Sequence, residues 1–340
     1  MILSDSRICI CGGGHIAHSL VAALGRFCDV SVLTRRPEHW NGRMEYQIGD
    51  TARKITHGSV VASKDPQIVA SSDVIIIALP RFAIAEELAM IMPYLRKGQT
   101  VVFVPAPAGM ESFVTQLTMI GVETVAFQRV PYVARVIKYG HSVWMGSVRS
   151  VSRIAVSNAD KKQDWKGFIE KFIGGEVQFL SSFLIFTFSN SNPLLHPSRI
   201  IELLRGGNNG VYDKCPYFYA EWTDASSEHY VNADKEMLAA FKAYSKIAVE
   251  NDYESALDHY ESTTPHELTC KMRNIESLKP ILAPWFQRND GLWAPDFTSR
   301  YFTEDIPFGT KVVQEYAHKV GLQTPTIDML INEITKAARL

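Results

Sequence analysis

The fold of the first half of the chain is decided by residues 7–24, RICICGGGHIAHSLVAAL. An apolar run of β type leads into a glycine turn, and apolar side chains at helical spacing follow. The residues Gly12, Gly14 and Ala17 fit the pattern G-x-G-x-x-G/A. The first glycine permits a tight turn, the second lets the backbone approach a pyrophosphate, and the small third residue lets the helix pack on the strand.

This pattern predicts a dinucleotide site at the turn. The N–H groups at the start of the helix are free to bind an anion, so the helix N-terminus supports the same prediction as the glycines. We interpret His15 and His18 as helix-surface residues near the turn, with His15 close enough to belong to the site. The cofactor-binding residues predicted here are Gly12, Gly14, His15, Ile16 and Ala17.

The end of the second strand, DVSVLTR at 29–35, bears on which dinucleotide is bound. Many dinucleotide sites place Asp or Glu there to hold a ribose hydroxyl, whereas this sequence has Thr34, Arg35 and Arg36. Guanidinium groups bind phosphate through paired hydrogen bonds, so these residues favour the 2′-phosphate of NADP(H). NAD(H) is the alternative, and in that case the two arginines lie on a solvated loop.

Two further segments, residues 71–83 and 99–109, read as buried parallel strands that end in loops. Ligands of such sheets bind beyond the carboxyl ends of the strands, so Leu79, Pro80 and Pro105 are expected to flank the nicotinamide. Residues 141–157 read as a pair of strands about a turn, residues 164–174 as an amphipathic helix and residues 176–182 as the last strand. The sequence thus predicts a Rossmann-type doubly wound α/β domain over residues 1–182.

From residue 183 to residue 340 the helical period dominates and predicts an all-helical domain. The predicted helices are residues 232–250, 253–262 and 265–278 and two more in 309–340, with Gly321 ending one and Pro325 opening the next. An active site is expected in the cleft between the two domains. Just past the boundary, the stretch SNSNPLLHPSRII at 189–201 places His196 among apolar residues, before a helical run that begins at Ser198. Alone, such a histidine is more often a packing residue.

Composition excludes several classes of function. The chain of 340 residues is 46% apolar and 21% charged, with a formal net charge of −1, which gives no support for nucleic-acid or membrane-surface binding. No apolar run reaches the roughly 18 residues that span a bilayer, and the first residues lack the pattern of a secretory leader. Five cysteines without a CxxC pair favour reduced thiols, a cytoplasmic location and no metal site.

Four stretches together resemble the opine dehydrogenase family, the NAD(P)-dependent octopine/nopaline dehydrogenases. They are GGGHIA at 12–17, VPYVARV at 130–136, NSNPLLHPSRI at 190–200 and RYFTEDIPFGTKVV…GLQTPTID at 300–328. The resemblance implies the reductive condensation of an amino acid or other amine with a 2-oxo acid such as pyruvate, through an imine that NAD(P)H reduces. It also implies that His196 transfers protons, that Asp305 pairs with it and that Arg300 holds the carboxylate of the oxo acid.

These three residue types suit that chemistry. Imidazole titrates near neutrality, a carboxylate on its other nitrogen fixes its tautomer, and a guanidinium grips a carboxylate through two hydrogen bonds. The alternatives are that Asp305 caps the helix after Pro307 and that Arg300 is a surface residue. Asn192 is a candidate donor to substrate or to the nicotinamide carboxamide, and Arg135 is either a cleft residue or part of a structural ion pair.

Three readings of the function compete. The first is the opine-type dehydrogenase, and the second is a simple 2-oxo-acid reductase of the ketopantoate type, which has the same two-domain plan. The third is a non-catalytic nucleotide-binding protein. The sequence leaves open the amine, the oxo acid and the oligomeric state, with a homodimer as one option, and the aromatic residues of segment 212–222 are candidates for an amine pocket, the core or a dimer contact.

Overall fold

A computed structural model describes residues 6–40, 42–245 and 253–338 of the chain. The chain forms two compact units, Met1–Phe183 and Leu184–Leu340. Among the described residues, no helix is both long enough and apolar enough to cross a membrane.

The first unit contains twelve described strands. In chain order they are β1 Ile8–Cys11, β2 Val30–Leu33, β3 Glu45–Ile48, β4 Lys54–Ile55, β5 Val60–Ser63, β6 Val74–Ile77, β7 Thr100–Phe103, β8 Glu123–Phe127, β9 Tyr132–Lys138, β10 Ser142–Val148, β11 Val151–Val156 and β12 Glu176–Phe179. Eight of them form one sheet in the order β12-β11-β8-β7-β6-β1-β2-β5. All neighbours in this sheet are parallel except β8 and β11.

The strand order reverses at β1, as the doubly wound prediction requires. From β1 the chain goes to β2 and β5 on one side, and β6, β7 and β8 then follow on the other. Helices α1 His15–Leu24, α2 Arg81–Ile91, α3 Met110–Met119 and α4 Lys162–Phe172 connect these strands. The central strands β1 and β6 are buried along their whole length, which explains their unbroken apolar sequences.

The remaining four strands form a second, smaller sheet in the order β4-β3-β10-β9. Both strands predicted for residues 141–157 exist, as β10 and β11, but they are not a pair. Strand β10 pairs with β9 and β3 in the small sheet, whereas β11 pairs with β8 and β12 in the large one. Local alternation cannot tell a hairpin from two strands that enter different sheets.

The second unit is helical, as predicted from residue 183 onward. Its helices are α5 Ile185–Phe188, α6 Asn192–Arg205, α7 Asp224–Tyr244, α8 Ala256–His259, α9 Pro265–Asn274, α10 Arg300–Thr303, α11 Lys311–Lys319 and α12 Pro325–Ala337, with a π-helical turn at Ile306–Thr310. One hairpin interrupts them, β13 Trp285–Gln287 with β14 Trp293–Pro295. Gly321, at a φ of 77°, follows α11, and Pro325 opens α12 as expected.

Several helix boundaries differ from the prediction. Helix α7 begins eight residues early, at Asp224, because the Thr223 side chain accepts a hydrogen bond from the backbone of Ser226 and caps it. The predicted helix over 253–262 is a single turn, and the one over 265–278 ends at Asn274. The predicted helical residues 246–250 and 339–340 lie outside the described residues.

Candidate functional site

The glycine turn joins β1 to α1, and its three glycines face different surroundings. Gly12 has a φ of +133°, and a Cβ there would lie 2.6 Å from the carbonyl oxygen of Ala78. A Cβ at Gly13 would collide with the hydroxyl of Tyr139, whereas one at Gly14 would meet no atom of the chain within 4 Å. The fold therefore demands glycine at 12, a side chain at 13 would have to displace Tyr139, and the space beside Gly14 is open for a ligand.

A cavity of about 610 Å³ lies at this turn, beyond the carboxyl ends of the strands. Its lining comprises Gly12, Gly13, Gly14, Leu33, Thr34, Arg35, Arg36, Lys64, Leu79, Pro80, Ala83, Glu86, Glu87, Met90 and Tyr139. Seven predicted cofactor residues meet here, namely Gly12, Gly14, Thr34, Arg35, Arg36, Leu79 and Pro80. A glycine cradle at a helix start, open where a pyrophosphate would lie and bordered by cations, fits a dinucleotide.

Four predicted cofactor residues, His15, Ile16, Ala17 and Pro105, are not in the lining. Ala17 is fully buried in the core of the first unit, in keeping with the close packing expected of a small residue there. Ile16 packs against the same core, and the exposed His15 accepts a hydrogen bond at Nδ1 from the backbone N–H of Val136, 2.9 Å away. Their contribution to the site stays a prediction.

The cavity also contains a third cation that the sequence did not single out. Lys64 directly follows β5, and β5 pairs with β2, so Lys64 lies at the same sheet edge as Thr34. The guanidinium of Arg36 stacks 3.9 Å from the centre of the Tyr139 ring. Only its position could have pointed to Lys64 in the sequence. A lysine directly after the edge strand that pairs with β2 lies near the loop that carries the two arginines.

His18 corrects one prediction, because it is not a helix-surface residue. It is completely buried, with Nδ1 2.9 Å from the carbonyl oxygen of Gly14 and Nε2 accepting from the backbone N–H of Gly140 at 2.8 Å. The second contact leaves the ring proton on Nδ1, which then donates to Gly14. Burial lowers the pKa of His18 to about 4. His18 therefore holds the glycine turn against the end of β9 as a neutral ring.

In the second unit, His196 lies inside helix α6, which begins earlier than predicted. The helix starts at Asn192 and continues through Pro197, where a break is expected because proline lacks an N–H. The carbonyl of Pro193, which would have received that hydrogen, accepts one from Thr310 Oγ1 at 2.5 Å instead. Thr310, more than one hundred residues later, thus supplies the hydrogen bond that α6 loses at Pro197.

The structure brings His196 and Asp305 together. The Nδ1 atom of His196 is 2.7 Å from Oδ2 of Asp305, across 109 positions of sequence, and His196 is only 7% exposed. Asp305 precedes the π-helical turn, but among the described residues its carboxylate makes no capping hydrogen bond there. The Asp305 side chain therefore does not cap a helix. An ionised carboxylate at this distance fixes the proton of the neutral ring on Nδ1.

Aromatic side chains surround the imidazole. The hydroxyl of Tyr219 lies 3.4 Å from Nε2 of His196, and the Tyr301 ring lies 4.2 Å from the imidazole, centre to centre. Burial raises the pKa of both tyrosines, and the charge of Asp305 adds to the effect, so both stay protonated near neutral pH. Tyr219 belongs to the aromatic segment 212–222, but its contact with His196 was not predictable from local sequence.

The three predicted substrate residues lie in different settings. Arg300 opens α10 with a 75% exposed side chain that forms an ion pair with Glu304, which helps keep the pKa of the guanidinium raised. Asn192 is exposed at the first position of α6. Arg135 is exposed on β9 in the first unit, where Nη1 donates to the carbonyl oxygen of Ala134 at 2.9 Å. Among the described residues Arg135 has no carboxylate partner.

Comparison with known proteins finds relatives of this chain. Residues 179–338 match the model of the NAD/NADP octopine/nopaline dehydrogenase alpha-helical domain. Tauropine dehydrogenase from Arabella iricolor is 27% identical over 358 residues, which cover 95% of this chain and 89% of that protein. Octopine dehydrogenase from Mizuhopecten yessoensis is 26% identical over 96% of this chain and 88% of its own length.

Solved structures show the same fold. Octopine dehydrogenase in complex with NADH and agmatine has a TM-score of 0.83 at 24% identity, covering 96% of this chain and 87% of its own. Yersinopine dehydrogenase with NADP+ bound has a TM-score of 0.74 at 12% identity, covering 99% and 91%. A 2-dehydropantoate 2-reductase from Geobacter metallireducens follows at 0.64 and 15% identity, covering 97% and 99%.

Similarity to these relatives indicates an NAD(P)-dependent oxidoreductase that acts on CH–NH bonds. Residues 179–338 are similar to the helical domain of the opine dehydrogenase family, and the whole chain is similar to tauropine and octopine dehydrogenases. These similarities support the opine reading over the ketopantoate-reductase alternative, and they give the coenzyme as a nicotinamide dinucleotide.

Proposed function

We propose that this protein condenses an amine, of an amino acid or a similar compound, with a 2-oxo acid such as pyruvate and reduces the resulting imine at the expense of NADPH. One oxo acid, one amine, one NADPH and one proton give a secondary amine, NADP+ and water. The 2.7 Å contact between His196 and Asp305, in a unit that matches the family's helical domain, carries the proposal.

His196 is the proton-transfer group in this proposal. The oxo acid's oxygen must leave as water, so it needs a proton, which the Nε2 side of the ring can supply. Asp305 fixes the orientation of the ring through Nδ1, while the low exposure of His196 limits exchange with solvent. The nicotinamide, when bound, supplies the hydride.

Arg300 is proposed to bind the carboxylate of the oxo acid, as the family resemblance implies. Its guanidinium is largely exposed and already pairs with the carboxylate of Glu304, so an incoming carboxylate either replaces that partner or shares the fork with it. Asn192 and Arg135 are proposed as further polar contacts of the substrate, and their exposed side chains are compatible with this.

A matrix of substrates tests the function. Taurine, L-arginine, agmatine and a set of other amino acids are each combined with pyruvate, glyoxylate or 2-oxoglutarate, and loss of NADPH absorbance is followed. We expect oxidation of NADPH only when an amine and an oxo acid are both present, with a secondary-amine product in the mass spectrum. Equal oxidation with the oxo acid alone would indicate a simple oxo-acid reductase instead.

We also propose NADPH as the preferred coenzyme. Arg35, Arg36 and Lys64 all border the cavity, and three cations suit a 2′-phosphate. Glu86 and Glu87 border it too; burial raises the pKa of Glu87, and the nearby charge of Arg35 opposes that rise.

The coenzyme preference is measured as the NADPH-to-NADH ratio of kcat/KM. Arg35→Ala with Arg36→Ala is expected to lower this ratio by about 10- to 100-fold, because two charge-assisted contacts are lost. Lys64→Ala should lower it less, whereas Arg53→Ala, an exposed cation outside the cavity lining, should leave it unchanged. A ratio that stays constant in the double variant removes the 2′-phosphate assignment.

We also propose a cytoplasmic location and a homodimer. All five cysteines are free thiols, as expected of a reducing compartment. Thiol titration of protein purified without reductant should find five reactive groups after denaturation, and light scattering would give the mass of the assembly.

A further inference from the structure

Helix α6 carries a second polar residue one turn after His196 that the proposed chemistry does not use. Arg199 is 3% exposed, and burial lowers the pKa of its guanidinium to about 10. A guanidinium is costly to bury without hydrogen-bond partners, so its contacts identify what its burial supports. Its Nε donates to the carbonyl oxygen of Phe218 at 3.0 Å and its Nη2 to that of Tyr217 at 3.3 Å.

Those two carbonyls directly precede Tyr219, whose hydroxyl lies 3.4 Å from Nε2 of His196. The Tyr219 ring packs against two others, nearly parallel to Trp222 at 6.1 Å and edge-on to Phe218 at 4.9 Å, centre to centre. His196 and Arg199, on one face of helix α6, therefore both contact the segment 217–219. Arg199 binds its backbone, and His196 meets the side chain that this backbone carries.

We propose that Tyr219 and Arg199 are positioning residues for His196, in which Arg199 fixes the segment 217–218 so that the Tyr219 hydroxyl partners Nε2. A hydroxyl can donate to the neutral ring and accept from the protonated one, so it serves Nε2 in both states. The carboxylate of Asp305 accepts from Nδ1–H in both states, and the two partners together hold the ring in one orientation. The catalytic consequence rests on the proposed role of His196, but the effect on its titration does not.

The direction of that effect follows from the groups around the ring. Three titratable groups contact His196 directly, namely Asp305, Tyr219 and Tyr301. Two others interact with these neighbours and not with the ring: Tyr260 with Tyr219, and Arg300 with Asp305. A hydrogen bond from the charged imidazolium to the Tyr219 oxygen is stronger than one from the hydroxyl to the neutral ring. Removing the hydroxyl therefore penalises the protonated ring more, and the pKa of His196 should fall.

The test is hydrogen–deuterium exchange at the imidazole C2 position, followed by mass spectrometry of the peptide that contains His196. It reads the pKa of this one histidine in the full-length protein, without coenzyme or substrate. Tyr219→Phe is expected to lower that pKa by about 0.5–1 unit, the size of a modest change in one hydrogen bond. Tyr94→Phe, at an exposed site in the first unit, is the matched control and should leave it unchanged.

Arg199→Lys sharpens the test, because lysine keeps the charge but loses the planar fork that reaches two carbonyls. We expect it to lower the pKa of His196 in the same direction, and to add little once Tyr219 is already phenylalanine. Circular dichroism checks the fold, and Tyr219→Phe decides alone where Arg199→Lys does not fold. An unchanged or raised pKa in Tyr219→Phe overturns the proposal, whatever the enzyme's turnover.

The same variant connects the inference to catalysis. With a substrate pair found active in the matrix, Tyr219→Phe should lower kcat about 3- to 10-fold and move the pH profile of kcat in the direction of the His196 pKa. A pKa that moves while the kinetic profile does not would show that Tyr219 partners His196 but that His196 is not the proton-transfer group, which contradicts the proposed function and not the contact.

Discussion

His18 in the first unit and His196 in the second are both buried, and each has a partner at both ring nitrogens. The partners of His18 are backbone groups, of Gly14 and Gly140, which never change charge. The partners of His196 are a carboxylate and a phenol. Burial alone therefore does not distinguish a structural histidine from a reactive one, whereas the chemistry of the partners does. Backbone partners hold a neutral ring in place, and an acidic partner lets the ring accept and release a proton.

The largest effect should come from removing the imidazole of the second unit. His196→Gln is expected to lower kcat by about 10²–10⁴, because the proton-transfer group is lost, while NADPH affinity stays nearly constant. Steady-state kinetics and coenzyme titration by fluorescence would measure the two quantities. His266→Gln, at an exposed site of the same unit, is the control. Equal loss of turnover and coenzyme affinity would make His196 structural, like His18.

The pH dependence of stability should report His18. Its pKa is about 4 in the folded protein and near 6.5 in the unfolded chain, so the unfolded chain binds the proton more readily. The contribution is present above pH 6.5 and is lost as the pH falls toward 4, by about 3 kcal/mol in total. The free energy of unfolding in urea is measured at pH 7, 6, 5 and 4 for the wild type and for His18→Phe. The variant lacks the imidazole, so the difference between the two curves gives the contribution of His18 at each pH. Parallel curves would refute the neutral buried ring.

At pH 7.5 the same variant should be less stable by about 1–3 kcal/mol. His18→Phe leaves the backbone N–H of Gly140 buried without its acceptor, and that is the usual cost of an orphaned donor. Turnover per folded molecule should fall far less than in His196→Gln. A variant as stable as wild type would mean that water or a shifted turn replaces the contact.

The smallest effect on stability is expected at the glycine turn. Gly14→Ala should change the free energy of unfolding by less than about 1 kcal/mol, since a Cβ there meets no protein atom and only the helix start is affected. Coenzyme affinity should nevertheless fall, because the methyl group enters the cavity. Gly12→Ala is the contrast, with a positive φ and a clash at Ala78. Unaltered coenzyme binding in Gly14→Ala would argue against a pyrophosphate beside this residue.

The sequence predicted those parts of the molecule that depend on neighbouring residues. The turn at Gly12–Gly14, the buried strands and the helical second half all follow from local periodicity. The surroundings of His18 did not, because the backbone that covers it belongs to Gly140, 122 positions away. The start of α6 was misplaced for a similar reason. Pro197 reads as a helix boundary until Thr310 is known to satisfy the carbonyl of Pro193.

The candidate site shows the same limit. Resemblance to a family named His196, Asp305 and Arg300, but no local pattern could place Tyr219 on the imidazole or Lys64 beside the arginines. Both depend on strand pairing or helix packing between distant segments. Such contacts become visible only when the register of the sheet and the faces of the helices are known.

The hydrogen bond from Thr310 to Pro193 also has a consequence for biosynthesis. On the ribosome, helix α6 emerges more than one hundred residues before the threonine that satisfies its open carbonyl and before the carboxylate that orients its imidazole. The nascent chain can therefore complete its first unit long before His196 and Asp305 can pair. A chain released before residue 305 would lack that pair altogether, however well its first half had folded.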